Sequence, residues 1–229
     1  MKTLIIIPAY NEENNIIRLL ETLKNRYDEY DFLVINDCST DATKVLLKQF
    51  KAAFLDLPVN LGIGGGVQSG YIYALENGYD IAVQMDGDGQ HLPEYLETII
   101  NPIKAGEANF VVGSRFIENE GFQSSKLRRL GINMLSSVLK IVTGTKVLDV
   151  TSGFRAVDRN GIELFSRDYA QDYPEPEALA VALRNGLKVK EVPVQMKARD
   201  AGTSSISGFK NIYYMVKVTL ALLLTRISY

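Results

Sequence analysis

The chain has 229 residues, 46% apolar and 23% charged, the composition of a soluble globular protein, and one α/β domain with a sizeable core is expected, two small domains being the alternative. With 25 basic and 27 acidic residues the net charge is −2, which excludes an overall pull toward nucleic acid, so any anionic ligand must be held by a local cluster. The single cysteine, Cys38, excludes an intrachain disulfide framework and points to a reducing cytosolic compartment.

Leu4 to Ile7 is a short apolar run that stops at Pro8 and lacks the charged leader of a signal peptide; it reads as a buried strand. Asn14 to Lys24 carries Ile16, Leu19, Leu20 and Leu23 at helical spacing. Phe32 to Ile35 reads as the next strand, Asp41 to Phe50 as a helix, and Ala53 to Leu57 as a third strand. The glycine-rich stretch Gly62 to Gly66 opens a helix to about Asn77, followed by a strand at Ile81 to Met85, a helix from Pro93 to Ala105 and a strand at Phe110 to Gly113. Lys126 to Val142 is predicted helical, with Lys126, Arg128 and Arg129 crowded at its start. Val150 to Val157 then reads as a strand, Arg159 to Phe165 and Glu177 to Asn185 as helices, and Leu187 to Lys197 as a strand broken by Pro193. The polar stretch Arg199 to Gly208 reads as a mobile loop.

From Ile212 to Leu224 the chain is apolar apart from Lys217 and Thr219. The run is shorter than the roughly 20 residues a spanning helix needs. A helix docked on the core and one lying on a membrane or a small membrane partner both stay open. The expected division is a main domain over 1–208 and a membrane-associating or partner-docking helix over 209–229.

Strands separated by helices of this length imply crossover connections and a mostly parallel sheet flanked by helices. Ligands of such sheets bind beyond the carboxyl ends of the strands. That rule selects Pro8 to Glu13, Asn36 to Asp41, Asn60 to Gly66 and Asp86 to His91, each of which follows a predicted strand.

Asp86-Gly-Asp-Gly-Gln-His91 is the strongest of the four. Two carboxylates one residue apart at a strand end can bracket a hard divalent cation, and Mg2+ or Mn2+ prefers oxygen ligands while keeping part of its shell for phosphates. Gly87 between them lets backbone approach a ligand without a Cβ in the way. Gln90 can add an amide oxygen. Taken alone, the pattern also suits a ligand-free turn; its place after a buried strand favours the ion. His91, the only histidine, reads equally as a ligand or as a cap for the next helix and receives no catalytic role.

Asp41 suits a helix cap, whereas Asp37, nearer the strand end, can accept hydrogen bonds from a nucleobase or ribose. Tyr10 and Glu12 are likewise placed to hold a base, although Glu12 and Glu13 also suit a helix N-terminus. Gly62 belongs to a loop that brings backbone near that site, and no Gly-Lys-Ser/Thr follows it, so it is not a Walker loop.

Pro8-Ala-Tyr-Asn-Glu, Asn36-Asp-Cys-Ser-Thr-Asp, Asn60-Leu-Gly-Ile-Gly, Asp86-Gly-Asp-Gly-Gln-His and Ser152-Gly-Phe-Arg, in this order and spacing, resemble family 2 glycosyltransferases of GT-A fold, a Rossmann-like architecture. The likeness is greatest to the branch of dolichyl-phosphate mannose synthases and polyprenyl-phosphate glycosyltransferases, and it covers about residues 3 to 208. It implies that Pro8, Tyr10, Glu12 and Asp37 hold base and ribose, with Gly62 and Gly87 supplying backbone. Asp86, Asp88 and Gln90 would surround the metal that bridges the diphosphate. Arg115 would contact phosphate, Arg128 or Arg129 the phosphate of a lipid acceptor, and Arg199 belongs to a loop that closes on the donor.

The implied reaction moves a hexose or N-acetylhexosamine from a nucleotide diphosphate sugar, UDP being the expected carrier, to polyprenyl phosphate at the cytoplasmic membrane face, for cell-surface polysaccharide assembly. Inversion at the anomeric carbon is expected. A second reading keeps the fold and gives it a hydroxyl acceptor, which needs a general base; Glu175 and Glu177 are the candidates, Glu177 the favoured one. A nucleotidyltransferase is disfavoured because no glycine-rich loop with a basic residue follows the first strand. A binding module without catalysis is disfavoured by the retained acidic pair and arginines. Self-association is left open.

Overall fold

The computed structural model describes residues 1–118, 120, 126–172, 174–197 and 217–222; the Arg199 loop and most of the apolar C-terminal run lie outside them. In chain order the elements are β1 (Thr3–Ala9), α1 (Ile16–Arg26), β2 (Asp31–Asn36), α2 (Thr43–Phe50), β3 (Phe54–Asp56), α3 (Gly62–Glu76), β4 (Ile81–Gln84), α4 (Leu96–Lys104), β5 (Phe110–Ser114), α5 (Lys126–Thr143), β6 (Arg155–Asp158), α6 (Arg159–Arg167), α7 (Pro174–Arg184) and β7 (Val189–Pro193). One seven-stranded sheet runs in the order β3-β2-β1-β4-β6-β5-β7. The pairs β1–β2, β1–β4, β2–β3 and β5–β7 are parallel, and β6 alone runs antiparallel to both its neighbours.

The continuous apolar run of β1 follows from its central place. All seven of its residues are buried, because helices cover both faces of the sheet. Successive side chains alternate between two cores: Leu4 and Ile6 join α3, α6 and α7 on one face, while Ile5 and Ile7 join α1 and α4 on the other. The mostly parallel sheet flanked by helices is thus the architecture expected from the sequence.

Three expectations are corrected. Of the strand expected over Val150 to Val157, only Arg155 onward pairs in the sheet, and the preceding residues form a loop that runs past Asp86. The helix expected from Glu177 begins at Pro174, because prolines in a first turn forfeit no intrahelical bond. The strand expected over Leu187 to Lys197 with a break at Pro193 does break there, but it starts only at Val189 and does not resume, leaving Met196 in an isolated bridge to His91.

Candidate active site

The four loops selected from the sequence meet at the carboxyl end of β1, β2 and β4, laced by hydrogen bonds. The Asn11 side-chain oxygen accepts the Thr40 amide at 2.8 Å, and the Ser39 hydroxyl accepts the Asn11 amide at 3.0 Å. Thr43 Oγ1 accepts the Glu12 amide at 2.9 Å; Asp41 Oδ2 accepts the Glu13 amide at 3.1 Å, and Glu13 returns a carboxylate to the Ala42 amide at 2.8 Å. Burial alone would raise the Asp41 carboxyl, but hydrogen bonds from Thr43 and Glu13 hold it below its ordinary value. Asn11 and Cys38 sit in left-handed backbone, with φ of 55° and 58°, a conformation that non-glycine residues hold only where surrounding bonds impose it.

Asp37 is buried beside this seam. Its Oδ1 accepts the Leu61 amide at 2.7 Å, and its backbone amide bonds to Ala9. Tyr10 is half exposed, and Glu12 accepts Asn15 Nδ2 at 2.9 Å. Gly87 donates its amide to the Pro8 carbonyl at 3.2 Å, which ties the acidic turn to the first loop. The glycine-rich start of α3 divides between two neighbours, its Leu61 amide bonding to Asp37. Gly62 takes a left-handed φ of 74°, but Gly64 packs against the Ala170 and Gln171 carbonyls with no room for a Cβ, so protein backbone fills its open side.

Asp86 and Asp88 flank the turn after β4. The Asp86 side chain is 32% exposed, and its carboxylate has Gln84 Nε2 at 3.3 Å and His91 Nε2 at 3.8 Å. Asp88 is buried and accepts the Gln90 amide on Oδ1 at 3.0 Å. Gln90 reaches Lys197 at 3.3 Å, linking the turn to the chain beyond β7. Among the described residues no three acidic, histidine or cysteine side chains close into a metal cage. The donors fit a hard ion that draws the rest of its shell from substrate oxygens and water.

Arg115 is not a solvated surface charge. It is 7% exposed, and Nε and Nη2 form a two-pronged bridge to Asp149, both at 2.7 Å, with Thr151 Oγ1 at 3.1 Å from Nη2. The Asp149 and Leu148 amides in turn donate to Glu191. Arg129 stacks on Phe116 with its guanidinium carbon 3.3 Å from the ring centroid, and its Nη1 is buried without a hydrogen-bond partner among the described residues. Burial pulls the Arg129 guanidinium below its ordinary value, against the pull of Asp149 and with that of Arg115. Arg128 is exposed.

Glu175 and Glu177 both lie in the first turns of α7 and differ in the charges around them. Burial pushes Glu175 up, and Arg155, Asp86 and Arg128 are the charged side chains that act on it. Glu177 is also pushed up by burial, but its charged neighbours are Asp172, Lys217 and Asp168. Two residues along a helix are about 200° of rotation, so the pair points to opposite sides. Asp149, Glu191 and Arg155 received no role from the sequence, although Arg155 closes the Ser152-Gly-Phe-Arg motif and Asp149 lies three residues before it.

Residues 4–165 match the family model described as glycosyl transferase family 2. A polyprenol monophosphomannose synthase of Mycolicibacterium smegmatis is 30% identical over 227 residues, 95% of this chain and 85% of the relative. A UDP-N-acetylglucosamine–dolichyl-phosphate N-acetylglucosaminyltransferase of Methanococcus voltae is 31% identical over 94% of this chain and 95% of the relative. The crystal structure of glucosyl-3-phosphoglycerate synthase from Mycobacterium tuberculosis in complex with Mn2+ and UDP-glucose superposes with a TM-score of 0.74 at 21% identity, over 98% of this chain and 78% of that chain. At that identity the likeness shows the fold alone.

Proposed function

This chain belongs to glycosyl transferase family 2 and has the GT-A fold, and on that premise we propose that it moves a hexose or N-acetylhexosamine from a UDP-sugar to polyprenyl phosphate at the inner face of the cell membrane. The observation that carries the reading is the meeting of Asp37, Asp86 and Asp88 at one sheet edge, in a chain whose relatives are named for polyprenol, dolichyl-phosphate and undecaprenyl-phosphate acceptors. Assembly of cell-surface polysaccharide is the process such a product would enter.

In this reading Asp37 Oδ2, left over by the Leu61 bond, takes the ribose or base, and Pro8, Tyr10 and Glu12 frame it. Asp86, Asp88 and Gln90 hold Mg2+ or Mn2+, which when bound stabilises the charge of the diphosphate. Breaking the anomeric bond puts negative charge on the departing nucleoside diphosphate, and fixed cations aimed at it lower the barrier. Arg199 closes on that side. Arg115, oriented by Asp149, and Arg129, seated on Phe116, face the acceptor phosphate, with Arg128 at the rim. A phosphate monoester is ionised at neutral pH, so it attacks without a general base. The membrane side is α5, where Leu130, Met134 and Ile141 recur at helical spacing and are 67%, 45% and 70% exposed. Among the described residues no helix is long and apolar enough to cross a membrane, which suits peripheral attachment or a separate membrane partner.

A hydroxyl acceptor is the second reading, favoured by the buried carboxyl of Glu175, on which the charge of Asp86 acts. Incubation of the purified chain with bacterial membranes and radiolabelled UDP-glucose, UDP-N-acetylglucosamine or GDP-mannose separates the two. Label extracted into organic solvent with a UDP-sugar is expected, and Asp88→Ala abolishes it while leaving the fold intact. Label confined to the polysaccharide fraction, or undiminished turnover by the variant, would overturn the acceptor or the metal assignment respectively.

A further inference from the structure

We propose that His91 is the positioning residue that sets the Asp86 carboxylate for its ion, its ring held by the Asp86 amide at Nδ1 and locked between Asp86 and Phe154. The inference rests on the metal reading of the acidic turn and adds to it a residue with no assigned role.

The geometry is specific. The Asp86 amide donates to His91 Nδ1 at 3.0 Å, so that nitrogen is an acceptor and the ring proton resides on Nε2. Nε2 lies 3.8 Å from Asp86 Oδ2. One imidazole therefore fixes the backbone of Asp86 by one nitrogen and faces its carboxylate with the other. The ring cannot swing away. It is 4% exposed and stacked on Phe154, with centroids 4.9 Å apart and planes 9° from parallel, and the His91 backbone bridges to Met196.

The opposite wall of Asp86 is also built. A Cβ on Gly153 would lie 3.0 Å from Asp86 Oδ2 and 3.2 Å from Gln84 Nε2, so the backbone there is packed closely against the carboxylate. Gln84 donates to Asp86 Oδ1 at 3.3 Å and accepts the Tyr169 hydroxyl at 3.3 Å. Phe154 and Gly153 belong to the Ser152-Gly-Phe-Arg loop, so that motif serves as the shelf for the histidine and the back wall of the carboxylate. A side chain that only filled the core would need neither nitrogen. Groups that orient a ligating carboxylate from behind typically alter metal affinity by about 10- to 100-fold when removed.

His91 is the only histidine in the chain, so its imidazole nitrogens give one resolved set of signals in a long-range 1H–15N spectrum. At mildly alkaline pH the wild-type protein is expected to show an unprotonated Nδ1 and a protonated Nε2. The opposite tautomer, or rapid exchange between the two, would overturn the proposal without recourse to a variant. In parallel, Mn2+ is titrated into wild type, His91→Asn and His91→Leu, alone and with UDP, and each variant's melting curve is recorded. Asn keeps an acceptor at the place of Nδ1, whereas Leu keeps only bulk. The expected result is Mn2+ affinity within about threefold of wild type for Asn and about 10- to 100-fold weaker for Leu. A folded Leu variant that binds Mn2+ as tightly as wild type would refute the role. Failure of the wild type to bind Mn2+ at all would instead strike the metal reading, and with it the ion that His91 is said to serve, while the spectrum would still report the imidazole clamp on Asp86.

Discussion

Glu175 and Glu177 belong to the first turns of α7, yet Asp86 is among the charges that act on the first and Lys217 among those that act on the second. Both carboxyls are raised by burial, which has a sign for stability. A folded-state pKa above the unfolded one means that the folded chain holds more protons, so stability falls as pH climbs from the ordinary carboxyl value of 4.5 through the raised one. Glu175→Gln removes that loss. Its melting temperature is expected to exceed that of wild type at pH ~7 and the gap to close below pH ~4.5, in thermal scans across that range. Were the second reading of the acceptor correct, Glu175→Gln would also suppress transfer far more than Glu177→Gln, because Asp86 is among the charges that act on Glu175.

At the scale of elements, the placing of α3 depends on a glycine. Gly64 donates its amide to Gln171 at 3.2 Å, and a Cβ there would collide with the Ala170 and Gln171 carbonyls. Helix propensity alone favours Gly64→Ala by about 1 kcal/mol. Packing opposes it, because the obstructing atoms are backbone and cannot turn aside. Overpacking of this kind costs about 1–3 kcal/mol, so Gly64→Ala is expected to lower stability in urea unfolding; a rise would show that α3 can shift at no penalty. The same contact explains why the glycine-rich segment resembles a phosphate loop without being one. Its glycines admit the backbone at Ala170 and Gln171, ahead of α7.

For the molecule as a whole, the C-terminal apolar run has two faces. Residues 217–222 are helical, and Val218 and Leu222 are fully buried in the core that contains Ile132, Leu135 and Leu139 of α5. Lys217 pairs with Asp172, just before α7, and Leu220 remains 54% exposed. Docking of this part of the run is therefore observed. A membrane-associating role for the 209–229 segment stays a proposal, and among the described residues it concerns the exposed Leu220. Leu222→Ala is expected to destabilise the folded chain by about 2–5 kcal/mol in denaturant unfolding. An unchanged midpoint would mean that the helix contributes nothing to the core.

Residue order alone determined the alternation of buried strands and amphipathic helices, and hence the sheet edge at which the ligand loops gather. It did so because hydrophobic periodicity and turn chemistry are local properties of the chain. It also singled out Asp37, Asp86 and Asp88, since a carboxylate just past a buried strand leaves few structural explanations. What stayed hidden depended on partners far apart in sequence. The fork of Arg115 on Asp149 spans 34 residues, the stack of His91 on Phe154 joins two separate loops, and the reversed β6 is defined only by the strands on either side. Whether a charge is solvated, bridged or raised in pKa is decided by what lies across space from it, and only the folded chain supplies those neighbours.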